Sequence, residues 1–146
     1  MRLRIINAAA DTAFRLALGG HQLTVTHADG YPVRPVTGDA LLLAMGERYD
    51  AIVQVQDGVF PLVAVAEGKA AQGLAVVQTS GGPAPRATAN PKELRRRLLT
   101  VDHLQAAAEV DLGPVAPQRT HRLVLDGNMR TYRWTINGHP CTEVPR

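Results

Sequence analysis

The sequence predicts an all-β protein, a sandwich or barrel of short strands. Short runs alternate apolar with polar side chains, and turn signals separate them at intervals of about 8–12 residues. Thirteen Gly and ten Pro in 146 residues supply that punctuation throughout the chain.

Leu3 and Ile5 alternate with Arg2 and Arg4, the pattern of a half-buried strand. Asn7 to Thr12 is a small-residue loop. Phe14, Leu16 and Leu18 alternate up to Gly19-Gly20, and Leu23 and Val25 alternate after it, so these two runs are expected to form a hairpin. Asp29-Gly30 marks the next turn, and Pro32 and Pro35 argue against a central strand after it. Leu41 to Leu43 leads into Met45-Gly46-Glu47-Arg48-Tyr49-Asp50, and Ala51, Val53 and Val55 leave on one face. Val59 to Ala66 is a continuous apolar run, expected to be buried on both faces, and Leu74 to Gln78 is a further strand.

The composition then changes. Ser80-Gly81-Gly82-Pro83-Ala84-Pro85 reads as an extended, solvated linker. Asn90 as cap, Pro91 at the first helical position and Glu93 reaching back predict a short amphipathic helix over about residues 91–100, with a further helical turn over 103–108. Leu123 and Leu125, a turn at Asp126-Gly127-Asn128, and the alternation of Tyr132, Trp134 and Ile136 predict a second hairpin. No solenoid-type repeat is present.

A chain of this length fits one domain and buries a core without staples. The net charge of +3 owes much to one run, Arg95-Arg96-Arg97, and lacks the broad basic patch that nucleic acid requires; the run reads as a solvated face. The single cysteine makes no internal disulfide. No apolar run approaches membrane-spanning length. Met1 is followed at once by a strand, without a signal peptide's apolar stretch, so the chain is expected to be cytoplasmic or a piece of a longer one.

The residue types that carry chemistry are scattered. His21, His27, His103, His121 and His139 form no His-x-His pair and no helical pair, and a closed zinc site needs more than one thiolate. They read as surface or hydrogen-bonded turn residues. Cys141 has His139 nearby, but a blue-copper site needs a second imidazole and usually an axial thioether, and Thr142 to Arg146 supply neither. Ser80, the only serine, has no elbow motif around it, and there is no glycine-rich phosphate loop.

The densest charge lies at Glu47, Arg48, Tyr49 and Asp50. Glu47 and Asp50 could be imagined as an acid/base pair, yet Arg48 lies between them and they do not converge on one cleft. The reading adopted is an ion-paired structural corner, with Arg48 on Glu47, Asp50 or a backbone carbonyl and the Tyr49 ring buried.

Four stretches in order resemble the middle domain of three-domain multicopper oxidases of the laccase and copper-efflux-oxidase type. They are Arg2-Leu3-Arg4-Ile5-Ile6-Asn7-Ala8-Ala9, Gly20-His21-Gln22-Leu23-Thr24-Val25, Asp29-Gly30-Tyr31-Pro32-Val33 and Gly46-Glu47-Arg48-Tyr49-Asp50. Arg130 to Gly138 resembles the hairpin that opens the third domain of that family. The resemblance implies a cupredoxin-like Greek-key β-sandwich. It also implies a parent enzyme that oxidises substrate at a type 1 copper and reduces dioxygen to water at a trinuclear cluster, commonly secreted or periplasmic. The family's copper ligands lie on His-x-His and His-Cys-His motifs of the first and third domains. None of these motifs occurs here, so no catalytic, cofactor or metal residue is carried over, and this chain alone is expected to be inactive.

The expected organisation is an incomplete middle domain over 1–80, an interdomain linker over 81–118 and the first hairpin of a following domain over 119–146. The family's middle domains normally begin with a hairpin ahead of the Arg-Leu-Arg strand, which is absent here. The sheet is therefore expected to lack an edge strand. The hairpin at 121–137 is expected to fill that gap, in its own chain or by swapping into a homodimer. The expected partners are flanking cupredoxin domains. The competing reading is a copper-free cupredoxin scaffold or binding module of the cell envelope, without enzymatic activity.

Overall fold

The computed structural model describes residues 1–140. Its strands are β1 Arg2–Ile6, β2 Phe14–Leu18, β3 Leu23–Ala28, β4 Tyr31–Gly38, β5 Ala40–Leu43, β6 Arg48–Ile52, β7 Val59–Ala66, β8 Gln72–Gln78 and β9 Leu98–Leu99. β10 Leu125–Asn128, β11 Arg133–Ile136 and β12 His139–Pro140 follow. Two compact units result, Met1–Asp111 and Leu112–Arg146.

The first unit packs a sheet of order β1-β6-β3-β4 against one of order β8-β7-β2-β5-β9. Every pairing is antiparallel except β5 with β9. Alternation sends Leu23, Val25, Tyr49, Ala51 and Val53 of the first sheet inward to meet Leu16, Leu18, Leu41 and Leu43 of the second, all buried. Proline confines β4 to an edge, as its sequence requires.

β2 and β3 do not form the expected hairpin; they lie in different sheets, and β2 pairs with β5 and β7. The Gly19-Gly20 turn carries the chain across the sandwich. Gly19 donates its N–H to Pro61 O at 2.9 Å, and a Cβ at Gly19 would lie 2.9 Å from Pro61 Cγ. Both strands bury one face, so alternation alone does not separate a hairpin from a corner. A second crossing occurs at Gly38, where a Cβ would lie 2.5 Å from Leu99 Cγ.

The expected helix over 91–100 is replaced by a 3-10 turn, Lys92–Arg95, followed by β9. Leu94 and Leu99 are buried at 4% and 1% exposure, Leu94 against Ala17, Ala40 and Val63 on the outer face of the second sheet. Burying Leu99 in the main core while β9 pairs with β5 requires extended backbone, which overrides the capping signals. Residues 80–85 are largely exposed. Further on, Arg34 N–H donates to Gln105 O at 2.8 Å and Ala107 N–H to Pro32 O at 3.1 Å, so this segment covers the free edge of β4. The helical turn expected over 103–108 is two short 3-10 turns, Val101–His103 and Ala108–Val110, on either side of that pairing.

The second unit is a three-stranded sheet of order β10-β11-β12. Asp126, Gly127 and Asn128 belong to β10 rather than to a turn, and the chain reverses after Asn128. Asn128 Oδ1 accepts from Arg130 N–H at 2.8 Å and fixes that reversal. Gly127 faces Trp134, and a Cβ there would lie 1.9 Å from Trp134 Cε3, so this glycine makes room for an indole. Asn137 and Gly138, with φ of 51° and 83°, form the tight turn into β12.

Candidate functional site

The corner is built from both sides. Asn7, at the end of β1, donates its backbone N–H to Glu47 O at 3.0 Å and accepts from Gly46 N–H at 2.9 Å. Its buried side chain donates to Thr12 O at 2.8 Å and Leu43 O at 3.1 Å and accepts from Ala9 N–H at 3.0 Å. The Asn7–Thr12 loop is thus ordered by its first residue, which the sequence reading passed over. Gly46, at φ 82°, supplies the left-handed position between β5 and β6.

Period-two alternation then sorts Glu47 to Asp50. Tyr49 points inward and is 2% exposed, while Arg48 and Asp50 lie on the outer face. Arg48 takes neither Glu47 nor Asp50. Its Nη2 donates to Asp29 O at 2.8 Å and its Nη1 lies 3.6 Å from Asp29 Oδ1. Of the partners expected for Arg48, the backbone carbonyl is the one found, that of Asp29; alternation along β6 turns Glu47 and Asp50 to separate surroundings while the β3–β4 turn brings Asp29 alongside. Asp50 instead receives Arg2 through both Nε, at 3.0 Å, and Nη2, with Arg4 Nε at 3.8 Å. Glu47 Oε2 accepts the Ala44 N–H at 2.6 Å. Each carboxylate has its own donors, Arg2 for Asp50 and the Ala44 N–H for Glu47.

Among the described residues, the buried Tyr49 hydroxyl has no partner at hydrogen-bond geometry, although the Glu47 carboxylate lies nearby. Burial, and then the nearby Glu47 carboxylate, raise its pKa far above the usual tyrosine range. Such a phenol is held neutral and is a poor proton donor.

His21 is buried with both ring nitrogens engaged. Nδ1 lies 2.8 Å from Gly19 O, and Nε2 accepts the Gln56 N–H at 3.1 Å, which fixes the Nδ1–H tautomer. The ring meets Phe60 edge-on at 4.4 Å. His103 Nδ1 accepts the Thr100 N–H at 3.2 Å at the start of a 3-10 turn. His27 Nδ1 lies 3.1 Å from Thr26 Oγ1 on the face that carries Arg2 and Arg4. His121 and His139 are exposed in the second unit, and Cys141 lies outside the described residues. Among the described residues no three His, Cys, Asp or Glu side chains could hold a metal ion together. No helix among them is long and apolar enough to cross a membrane.

Two concavities lie on the outer face of the β1-β6-β3-β4 sheet. One, about 530 Å³, is lined by uncharged Thr, Gln and Ile side chains with His21; the other, about 460 Å³, by Arg2, Arg4, His27, Arg48 and Asp50. A third, about 350 Å³, is almost wholly apolar and lies against Ile5, Ile6, Phe14 and Leu16.

Two sheets with this crossed strand order, sharing one apolar core, define a cupredoxin-like β-sandwich. Residues 1–82 match the family model of the multicopper oxidases, and the chain belongs to that family. It is 52% identical over 144 residues to multicopper oxidase MmcO of Mycobacterium tuberculosis, covering 99% of this chain and 29% of that protein. A laccase of Cryphonectria parasitica is 27% identical over 169 residues, covering 97% of this chain and 27% of the relative. Among solved structures, the fold superposes on Fet3p, a multicopper oxidase that functions in iron import, with TM-score 0.67 at 17% identity, covering 92% of this chain and 28% of that one. The laccase from Botrytis aclada gives 0.57 at 26% identity, covering 94% and 27%. The chain thus spans 27% to 29% of the length of these four proteins.

Proposed function

We propose that this chain is a copper-free structural part of a larger laccase-like multicopper oxidase. Its parent couples oxidation of a substrate to reduction of dioxygen to water, with all copper ligands outside these residues. One observation carries the reading: 99% of the chain aligns with 29% of a multicopper oxidase. The engaged His21 and the arginines around His27 support the assignment of copper elsewhere.

In that role the sandwich holds flanking cupredoxin domains in register. The corner at Glu47, Arg48, Tyr49 and Asp50 acts as a fold marker without a part in the chemistry. The parent is periplasmic or secreted, following the family resemblance. β1 takes a further strand in the assembled protein. Its pairing with β6 alternates, so the N–H and C=O groups of Arg2, Arg4 and Ile6 face away from β6. Those groups accept either a flanking segment or the hairpin of a second copy in a strand-swapped homodimer; light scattering on the isolated chain separates the two.

Copper titration tests the central claim. The chain is expected to bind no stoichiometric copper and to develop no strong blue absorption, and either signal overturns the assignment. The reading frame around the chain tests the parent. A His-x-His motif upstream with His-Cys-His downstream agrees with the oxidase, whereas their absence favours the copper-free envelope scaffold.

A further inference from the structure

The corner places one cross-strand row on the outer face of the first sheet. Arg4 of β1 and His27 of β3 both stand in register with Asp50 of β6, so a carboxylate sits between a guanidinium and an imidazole. The bulge at Thr26 sets this row: it shifts the register between Val25 and His27, and brings His27 opposite Asp50. Arg2 and Arg48 flank the row, and the whole set lines one open concavity of about 460 Å³ walled on one side by Ile5 and Ile6.

The charges in this concavity are unequally satisfied. Asp50 Oδ2 receives Nε and Nη2 of Arg2, and Arg48 is held by Asp29. Among the described residues, Arg4 has only a 3.8 Å approach to the oxygen that Arg2 already occupies and makes no side-chain hydrogen bond, and its side chain is 75% exposed. Its planar fork matches a carboxylate in two-point contact. Among the described residues, the Nε2 of His27 makes no hydrogen bond, while Nδ1 is engaged by Thr26. Ile6, exposed at 66%, stands beside them as an apolar surface.

We propose that this concavity is a binding site for a small monocarboxylate. The carboxylate sits on Arg4 with His27 beside it, and the short apolar body lies along Ile6. The charge supplies the anion preference and Ile6 the preference for an acid with an alkyl body over an inorganic anion. Asp50 holds Arg2 in place and, by its own charge, discourages dianions. The site is independent of the copper chemistry of the family and does not rest on the reading given above.

The test is a titration of the full chain with butyrate, followed through backbone amide and arginine Nε–H resonances, with butyramide and chloride as matched controls. Butyrate is expected to give saturable shifts centred on Arg4, His27 and Ile6. Butyramide is expected to give none, and chloride none that saturate at the same residues. Arg4→Gln is expected to weaken butyrate at least tenfold while leaving the remaining spectrum intact. Ile6→Ser is expected to weaken butyrate but leave the weaker binding of formate unchanged. Equal shifts from butyramide, full butyrate affinity in Arg4→Gln, or shifts centred on Arg95 to Arg97 overturn the proposal. Tenfold tighter binding of a blocked aspartyl peptide than of butyrate also overturns it, since the site then belongs to a polypeptide carboxylate.

Discussion

Arg48 and Asp29 hold each other by backbone and side chain at once. Asp29 N–H donates to Arg48 O at 2.8 Å, and Arg48 N–H donates to Asp29 Oδ1 at 3.0 Å. The Arg48 guanidinium then closes over Asp29 O at 2.8 Å. Asp29 sits at φ 51°, in the left-handed region that aspartate tolerates better than most residues. The clasp joins the β3–β4 turn to the start of β6, and so links two of the sequence motifs that carry the family resemblance.

This geometry orders two substitutions. Arg48→Ala removes only the guanidinium contacts, and with both side chains more than half exposed it is expected to cost about 1 kcal/mol or less. Asp29→Ala also removes the acceptor of Arg48 N–H and places alanine at positive φ, for a loss of roughly 2 kcal/mol. Asp29→Gly recovers the backbone term and falls between them. Urea midpoints rank the three, and a larger loss from Arg48→Ala than from Asp29→Ala contradicts the account.

Asn7 carries more of the corner than any of its charged residues. Asn7→Ala strands two carbonyls and an N–H that its buried amide now serves, with an expected loss of about 2–4 kcal/mol. Asn7→Asp is expected to be no better at neutral pH, because a carboxylate cannot donate to Thr12 O or Leu43 O. Thermal unfolding of both variants checks this; a wild-type melting temperature in the aspartate variant rules out the donor role.

How much of this was legible depends on distance along the chain. Alternation in Leu3, Leu23, Val25, Ala51 and Val53 is local, and so the strands and their inward faces could be read directly. The inward turn of Tyr49 follows from the same period. The partner of Arg48 could not be read in this way, because Asp29 is 19 residues away and reaches it only through the β3–β4 turn. Gly127 misled for a related reason. Asp-Gly-Asn has turn chemistry, but Trp134 across the ladder needs the space of the missing Cβ. Over about residues 91–100 local capping signals pointed to a helix. Burial of Leu94 on the second sheet and of Leu99 in the main core, together with pairing of β9 to β5, decided otherwise.

Tyr49 makes a prediction about alkaline pH. Its pKa in the folded chain is raised above the ordinary value of about 10, first by burial and then by Glu47. As pH rises past the ordinary value, the unfolded chain loses this proton and the folded chain keeps it. The stability tied to the neutral phenol is therefore complete below about pH 10 and is lost as pH climbs toward the folded value. Tyr49→Phe removes this dependence and a hydroxyl that has no hydrogen-bond partner among the described residues, so it is expected to be neutral or slightly stabilising at pH 7. Melting temperatures at pH 8 and pH 11 are expected to show the phenylalanine variant losing less than the wild type. Identical losses mean that the hydroxyl is solvated on folding.

Gly38 and Leu99 give the last prediction, and it bears on the segment that the sequence presented as a helix. β4 passes into β5 through Gly38, against which Leu99 packs so closely that a Cβ would lie 2.5 Å from its Cγ and 3.1 Å from Arg97 O. Gly38→Ala therefore overpacks this point, with an expected loss of about 1–3 kcal/mol. Leu99, 1% exposed, leaves a cavity when truncated, and Leu99→Ala is expected to cost roughly 2–5 kcal/mol. In the double variant the new methyl occupies part of the space that Leu99 vacates, so the combined loss is expected to fall short of the sum by about 1 kcal/mol or more. Denaturant unfolding of the four proteins in the cycle measures that coupling. Strict additivity means that residues 98–99 do not pack on Gly38 in solution, and that the strand after the linker is not a layer of this sandwich.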